Sequence, residues 1–144
     1  MGDLKAVSDE FTEAFNAHDS ERIRACYADG AKFTAPGGVA LDGPEAITEY
    51  NMTWLNAFPD AKATVTNELF AGDWVVSQVT FTGTHTETFS SPDGDIPATG
   101  KSVTGRAADL IRVKDGKVVE EHLYFDNMEV LAQLGLVPET AATG

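Results

Sequence analysis

Residues 101–126 read KSVTGRAADLIRVKDGKVVEEHLYFD, two runs rich in β-branched and other apolar residues on either side of Asp115-Gly116. An Asp-Gly pair between two such runs is a strong signal for a two-residue β-hairpin turn. The sequence therefore predicts two antiparallel strands, Lys101–Lys114 and Lys117–Asp126, joined by that turn. Because the loop has a defined length, it also fixes which residues lie opposite one another.

The register of this hairpin predicts which side chains share a sheet face. Asp109 is expected opposite His122, and Gly105 opposite Asp126, with all four residues on one face. Directly opposed Cβ atoms lie about 5 Å apart, so Asp109 would reach the His122 ring. The other face would pack on a second copy of the chain to form a homodimer. Its apolar members are expected to include Ala108, Leu123 and Phe125.

Alternatives remain open for these residues. Asp109 and His122 form either a catalytic pair or a cross-strand ion pair with no catalytic role. Asp126 either takes part in catalysis or caps a helix that begins near Asn127. A β-bulge in either strand would shift the register and separate the pair.

The rest of the chain predicts helices first and strands later. Periodic apolar residues, capping residues and Pro44 at a helix start mark the helices, and β-branched runs mark the strands. Helices followed by a mainly antiparallel sheet make one α+β domain over residues 1–144, which can enclose a pocket. The predicted helices are Asp3–His18, a short one capped by Asp19 or Ser20, 44–57 and Asn127–Leu134; the further strands are Ala31–Ala35, Ala61–Phe70 and Asp73–Thr88.

Several polar and aromatic residues are candidates for the pocket wall. Asn51 falls within the apolar stripe of the third helix, where a buried amide bonds either neighbouring backbone or a ligand. Tyr50 and Trp54 lie beside it and supply aromatic surface. His85 alternates with apolar residues on a strand, so it is either a satisfied core residue or a donor to a ligand. Tyr124 is expected on the pocket face of the hairpin, and the Ser90–Gly100 loop is expected to cover the entrance.

Composition excludes several classes of function. The 144 residues include 10 basic and 23 acidic ones, and a formal charge of −13 argues against binding nucleic acid or anionic membranes. A single cysteine, no typical metal-ligand spacing and no nucleotide-binding motif lead us to expect no metal and no cofactor. No signal peptide is recognised, so the cytoplasm is the expected location. Carboxylate and imidazole acid–base chemistry in an apolar pocket remains.

Short motifs in a fixed order extend over nearly the whole chain. They are Phe15–Asp19, Ala57–Asp60, Gly72–Val76, Gly83–His85, Pro97–Lys101, Asp109–Arg112, Asp115–Glu120 and Leu131–Gly135. In this order and spacing they resemble the SnoaL-like polyketide cyclase, or ester cyclase, family of the nuclear transport factor 2-like superfamily. The resemblance implies an α+β cone, in which N-terminal helices pack on a strongly bent, mainly antiparallel sheet around a pocket.

The resemblance also implies a reaction. Family members close rings by intramolecular aldol chemistry without a cofactor, so we expect a cyclase or a related lyase or isomerase acting on a small apolar carbonyl compound such as a polyketide ester. Asp126 occupies the family's acid/base position at the end of the last strand. From the residues themselves, we expect His122, oriented by Asp109, to protonate or stabilise the developing oxyanion. The alternative is a noncatalytic module of the same fold that binds a small ligand.

Overall fold

The computed structural model describes residues 2–90 and 94–136. In this part of the chain, six strands form one strongly curved mixed sheet. The elements in chain order are α1 (Gly2–Asn16), α2 (Ser20–Ala25), β1 (Tyr27–Ala35), β2 (Val39–Asp42), α3 (Pro44–Ala57), β3 (Lys62–Ala71), β4 (Trp74–Thr84), β5 (Ser102–Lys114), β6 (Lys117–Phe125) and α4 (Asn127–Gln133). The strand order is β2-β1-β6-β5-β4-β3. Only the pairing of β1 with β6 is parallel among the described strands, so the predicted, mainly antiparallel α+β arrangement is confirmed.

The helices begin where local sequence signals place them. Asp19 caps α2 by accepting a hydrogen bond from the Arg22 backbone at 3.2 Å, and Pro44 occupies the first turn of α3. The short strand β2 was not predicted, because the turn-rich Pro36-Gly37-Gly38 precedes only four strand residues. None of the described helices is long and apolar enough to cross a membrane.

The hairpin between β5 and β6 has the predicted turn. Asp115 and Gly116 both have positive φ, at 52° and 76°, as a two-residue turn of this type requires. Lys114 pairs with Lys117 as expected. After one further pair the register shifts by one residue, because Val119 is an extra residue in β6 and forms a β-bulge.

The bulge overturns the predicted cross-strand pair. Asp109 lies opposite Leu123, and His122 lies opposite Leu110, so the side chains of Asp109 and His122 are on opposite faces of the sheet. The predicted contact between these two side chains is therefore wrong. Leu123 and Phe125, expected on the outer face, instead face inward and line a cavity.

The core lies between the helices and the inner face of the sheet. Phe58, at the end of α3, is fully buried and packs against Gly83 of β4. A Cβ atom added to Gly83 would lie 3.0 Å from the Phe58 Cβ, so the strand needs glycine at this point for the close approach. This contact fixes the end of α3 against the sheet, and with it the wall that α3 contributes to the cavity.

Candidate functional site

A cavity of about 140 Å³ lies between α1, α3, α4 and the inner face of the sheet. An apolar cavity of about 150 Å³ holds a benzene molecule, so this one encloses about one small ring of a ligand. Its surface is mainly aromatic and aliphatic, which suits an apolar compound. The aromatic residues that line it are Phe11, Phe15, Phe33, Tyr50, Trp54, Phe81 and Phe125.

Trp54 is at the centre of the aromatic wall. Its ring centroid lies 5.9 Å from that of Phe81, 5.6 Å from Phe125 and 4.8 Å from Phe89. The predicted placement of Trp54 in the pocket wall is confirmed. Phe89 also bridges to Ile96 through the backbone at the base of the predicted entrance loop, of which residues 91–93 lie outside the described part of the chain.

Tyr50 and Asn51 also line the cavity, as predicted. Tyr50 packs on Phe33 with ring centroids 5.1 Å apart. Asn51 is buried, and its Nδ2 donates a hydrogen bond to the Ile47 carbonyl at 2.9 Å. This bond uses one of the two amide hydrogens, so the second hydrogen and Oδ1 remain for a ligand.

Two carboxyl groups meet on the inner face of β5 and β6. Asp109 lies opposite Leu123 and Glu121 lies opposite Ile111, which makes the two carboxyl residues diagonal neighbours across the strands. Both line the cavity, and Glu121 is only 3 % exposed. Burial raises the pKa of Asp109 well above its usual range, and the charge of Glu121 and its hydrogen bond with Asp109 raise it further.

Glu121 differs from Asp109 in its partners. The Tyr27 hydroxyl donates a hydrogen bond to Glu121 Oε1 at 2.5 Å. Burial raises the pKa of Glu121, while hydrogen bonds from Asp109 and Tyr27 oppose that rise. Asp109 Oδ1 is buried and has no hydrogen-bond partner among the described residues. It is therefore a polar atom at the cavity that a ligand can satisfy.

The carboxyl pair has the chemistry of an acid and a base together. Two adjacent carboxyl groups in an apolar site do not both ionise near neutral pH, because the second charge is repelled by the first. We therefore expect the pair to hold one proton, shared between these two neighbouring carboxyl groups. One member can accept a proton while the other donates one, which is what carbon-acid chemistry needs.

The sequence analysis missed Glu121 and Tyr27. The unbulged register placed Glu121 on the outer face, and Tyr27 lies 94 residues away from it along the chain. No spacing motif links two residues so far apart. The available signal was the alternating pattern of β6, which yields Glu121 only once the bulge at Val119 is known.

Asp126 lies just beyond the end of β6, where it both caps α4 and lines the cavity. Its Oδ1 accepts hydrogen bonds from the backbone nitrogen atoms of Met128 at 3.0 Å and Glu129 at 3.2 Å, so it caps α4. It is exposed and also lines the cavity. Five residues at strand rise separate it from Glu121, roughly 16 Å. Asp126 is therefore near the mouth, and its catalytic role remains a prediction.

His122 and Tyr124 lie on the outer face of the sheet, away from the cavity. The His122 ring bonds Thr34 Oγ1 at 2.7 Å and Glu120 Oε2 at 2.6 Å, and it stacks on Trp74. Tyr124 is 57 % exposed. Their predicted placement in the pocket is wrong, because the bulge at Val119 moves both side chains to the other face.

His85 is in the core and does not line the cavity. Its ring is fully buried, stacks on Phe58 with centroids 5.3 Å apart, and accepts a hydrogen bond at Nδ1 from the Thr99 backbone at 3.3 Å. Burial lowers the pKa of His85, which favours the neutral ring. The structure places His85 in the core, away from the cavity. It is not fully satisfied there, because its buried Nε2 has no hydrogen-bond partner among the described residues.

Thiol and metal chemistry have little support from the described residues. Burial raises the pKa of the Cys26 thiol to about 11, so it stays protonated and is a poor nucleophile. Across residues 2–90 and 94–136, no group of three or more His, Cys, Asp or Glu side chains is arranged to hold a metal ion.

Comparisons with known proteins agree with this architecture. The model of the family described as SnoaL-like polyketide cyclase matches residues 5–134. No curated protein matches the chain. Among solved structures, IdmH from Streptomyces antibioticus, a candidate polyketide cyclase, is 30 % identical with a TM-score of 0.76, over 92 % of this chain and 98 % of that one.

More distant structures share the fold. A candidate SnoaL-like polyketide cyclase from Jannaschia sp. CCS1 is 21 % identical with a TM-score of 0.83, over 95 % of this chain and 94 % of that one. An epoxide hydrolase from M. tuberculosis is 15 % identical with a TM-score of 0.71, over 98 % and 97 % of the two chains. These two likenesses confirm the predicted cone of helices on a bent sheet, and at such low identity they concern the fold alone.

Proposed function

Because the chain belongs to the SnoaL-like polyketide cyclase family, we propose that it catalyses cofactor-independent acid–base chemistry on a small apolar carbonyl compound. The reaction closest to the family description is intramolecular aldol ring closure of a polyketide ester. The observation that carries the proposal is the pair of neighbouring carboxyl groups, Asp109 and Glu121, at an aromatic cavity. A buried carboxylate is a stronger base than one in water, which suits it to remove a proton from carbon.

The proposed reaction conserves protons within the pair. The ionised carboxylate takes a proton from the carbon next to a carbonyl group, which generates an enolate. The enolate carbon then forms a bond to a second carbonyl carbon of the same molecule, and the alkoxide produced takes a proton from the pair. The pair thus ends with the single proton that it held at the start, and it needs no cofactor.

The cavity supports this reaction through its shape and polarity. The aromatic wall around Trp54 excludes water and folds an apolar chain so that its two carbonyl groups approach each other. The free amide hydrogen of Asn51 is available to orient one carbonyl. Asp126 is a competing candidate for the base, since the family resemblance assigns the proton transfer to that position.

A deuterium-exchange assay tests the proposal with a defined probe. We expect the protein to accelerate exchange of the α-hydrogens of β-tetralone in heavy water, followed by proton NMR. Quenching of tryptophan fluorescence, to which Trp54 and Trp74 both contribute, reports binding. Glu121→Gln and Asp109→Asn should each lower the exchange rate by about 10²–10⁴-fold, the usual contribution of a general acid or base. Asp126→Asn makes the same chemical change at the competing candidate, and it should lower the exchange rate less than Glu121→Gln does.

Two results would contradict the proposal. A probe that binds beside Trp54 but exchanges at the buffer rate would favour the noncatalytic ligand-binding module. Full activity in Glu121→Gln, together with a large loss in Asp126→Asn, would transfer the acid–base role to Asp126.

A further inference from the structure

We infer that Tyr27 is a positioning residue that divides the roles within the carboxyl pair: its hydrogen bond keeps Glu121 charged and places the shared proton on Asp109. This inference rests on the proposed function for its catalytic meaning. The location of the proton, however, is a property of the resting protein and is measurable without turnover.

The hydrogen bonds of the two carboxyl groups are unequal. Glu121 accepts one bond from the Tyr27 hydroxyl at 2.5 Å and also bonds with Asp109. Asp109 bonds with Glu121, and its Oδ1 is buried without a partner among the described residues. A carboxylate is stabilised by each donor that it faces, so the member with two donors is the one that carries the charge.

Tyr27 is restricted to the role of donor. It is 4 % exposed, and its ring packs edge-on against Phe11 with centroids 6.0 Å apart. Burial and the neighbouring charge of Glu121 raise its pKa well above the usual range, so the hydroxyl keeps its hydrogen at any working pH. Tyr27 does not line the cavity, and it therefore acts through Glu121 rather than on a ligand.

Other charged groups around the pair do not replace Tyr27. No lysine or arginine in the described part of the chain forms an ion pair with either carboxyl group. Glu68 of β3 is held by Lys5 and by the Ser8 hydroxyl. His122 lies on the outer face, from where a positive charge would also favour ionised Glu121. Cys26 and Tyr50 are also neighbours of Glu121, and both have a raised pKa and are uncharged. Arg106, Asp126 and Glu129 line the same cavity, but none of them forms a hydrogen bond or ion pair with either carboxyl group among the described residues.

The asymmetry assigns a direction to the proposed proton transfers. Glu121 is the base that removes the proton from carbon, and Asp109 is the acid that protonates the alkoxide. After one turnover Glu121 holds a proton and Asp109 is ionised. The proton returns across their mutual hydrogen bond, which restores the resting state without an external donor.

Infrared spectroscopy of the resting protein tests where the proton lies. At neutral pH the exposed carboxyl groups are ionised, so a protonated buried carboxyl contributes a separate C=O stretching band. We expect carbon-13 labelling of aspartate to shift this band and labelling of glutamate to leave it in place. A band that shifts with the glutamate label in the unaltered protein would overturn the inference, whatever the outcome of the exchange assay.

Tyr27→Phe tests the cause. The variant loses a hydrogen bond to charged Glu121, so the acid limb of the pH profile of the exchange rate should move to higher pH by about one to two units. Part of the protonated-carboxyl band should then shift when glutamate is labelled. Tyr124→Phe makes the same change at an exposed outer-face position and should alter neither readout. If folded Tyr27→Phe keeps both the band and the acid limb of the parent, Tyr27 has only a packing role. If the variant does not fold, the labelling experiment on the parent still decides the proton's location.

Discussion

Replacing Asp109 by asparagine should change how the stability of the protein depends on pH. In the folded protein, burial and the neighbouring Glu121 hold the pKa of Asp109 well above its usual range. The amide of Asp109→Asn has nearly the same size and presents an N–H donor to Glu121, but it does not titrate. The variant therefore removes one titration while keeping the packing of the pair.

The sign and size of the effect follow from proton linkage. An unfolded chain releases the Asp109 proton near pH 3.9, whereas the folded protein keeps it to higher pH. Between the pKa of Asp109 in the unfolded chain and its raised pKa in the folded protein, the folded state binds one more proton than the unfolded state. The free energy of unfolding therefore falls as pH rises over that range. One bound proton corresponds to about 1.4 kcal/mol per pH unit wherever the folded state holds it and the unfolded state does not.

Urea unfolding at several values between pH 5 and pH 7, followed by circular dichroism, measures this difference. The parent should lose stability over the interval more steeply than Asp109→Asn, and the gap between the two should widen toward pH 7. Asp126→Asn is the control, since it changes an exposed cap and should keep the slope of the parent. Equal slopes for the parent and Asp109→Asn would refute the proton-sharing pair.

Three further predictions concern the cap, the core and the outer face. Asp126→Asn should leave the free energy of unfolding within about 0.5 kcal/mol of the parent, because Asn caps a helix about as well as Asp; its exchange rate should fall less than that of Glu121→Gln, and a larger fall would identify Asp126 as the base. Gly83→Ala should lower stability by about 1–3 kcal/mol in urea unfolding, because its Cβ would lie 3.0 Å from that of Phe58; an unchanged midpoint would contradict this close packing. The homodimer through the outer sheet face stays a prediction, burying more than roughly 1,000 Å² in total, with exposed Tyr124 on that face in place of the inward-facing Leu123 and Phe125. Tyr124→Glu should then yield monomers in light scattering, and a parent that is monomeric at micromolar concentration would contradict the expectation.

Local signals were sufficient to predict most of the fold. Turn chemistry at Asp115-Gly116, the cap at Asp19 and the proline at the start of α3 each act within a few residues, so each is readable from the sequence. The stripe on α3 likewise placed Trp54 and Asn51 at the cavity correctly. These predictions needed no knowledge of which strands meet.

The candidate site was harder to predict because tertiary contacts determine it. Val118 is buried and pairs with Val113 on one side and with Tyr27 of β1 on the other, and the chain takes up its extra residue immediately after this point. No glycine or proline in β6 marks the bulge. The alternating pattern of β6 therefore predicts a register without the one-residue shift. In that register His122 faces the cavity and Glu121 faces outward.

The bulge at Val119 absorbs one extra residue of β6. Beyond it, the strand pairs with β5 as it would in a chain that lacked this residue. A relative that lacks this residue would keep Glu121, Leu123 and Phe125 facing inward, with a regular hairpin in place of the bulge. Loss of a residue between Glu121 and Phe125 would instead exchange inward and outward side chains beyond it. An alignment of such relatives therefore assigns the site correctly only if its gap falls at Val119.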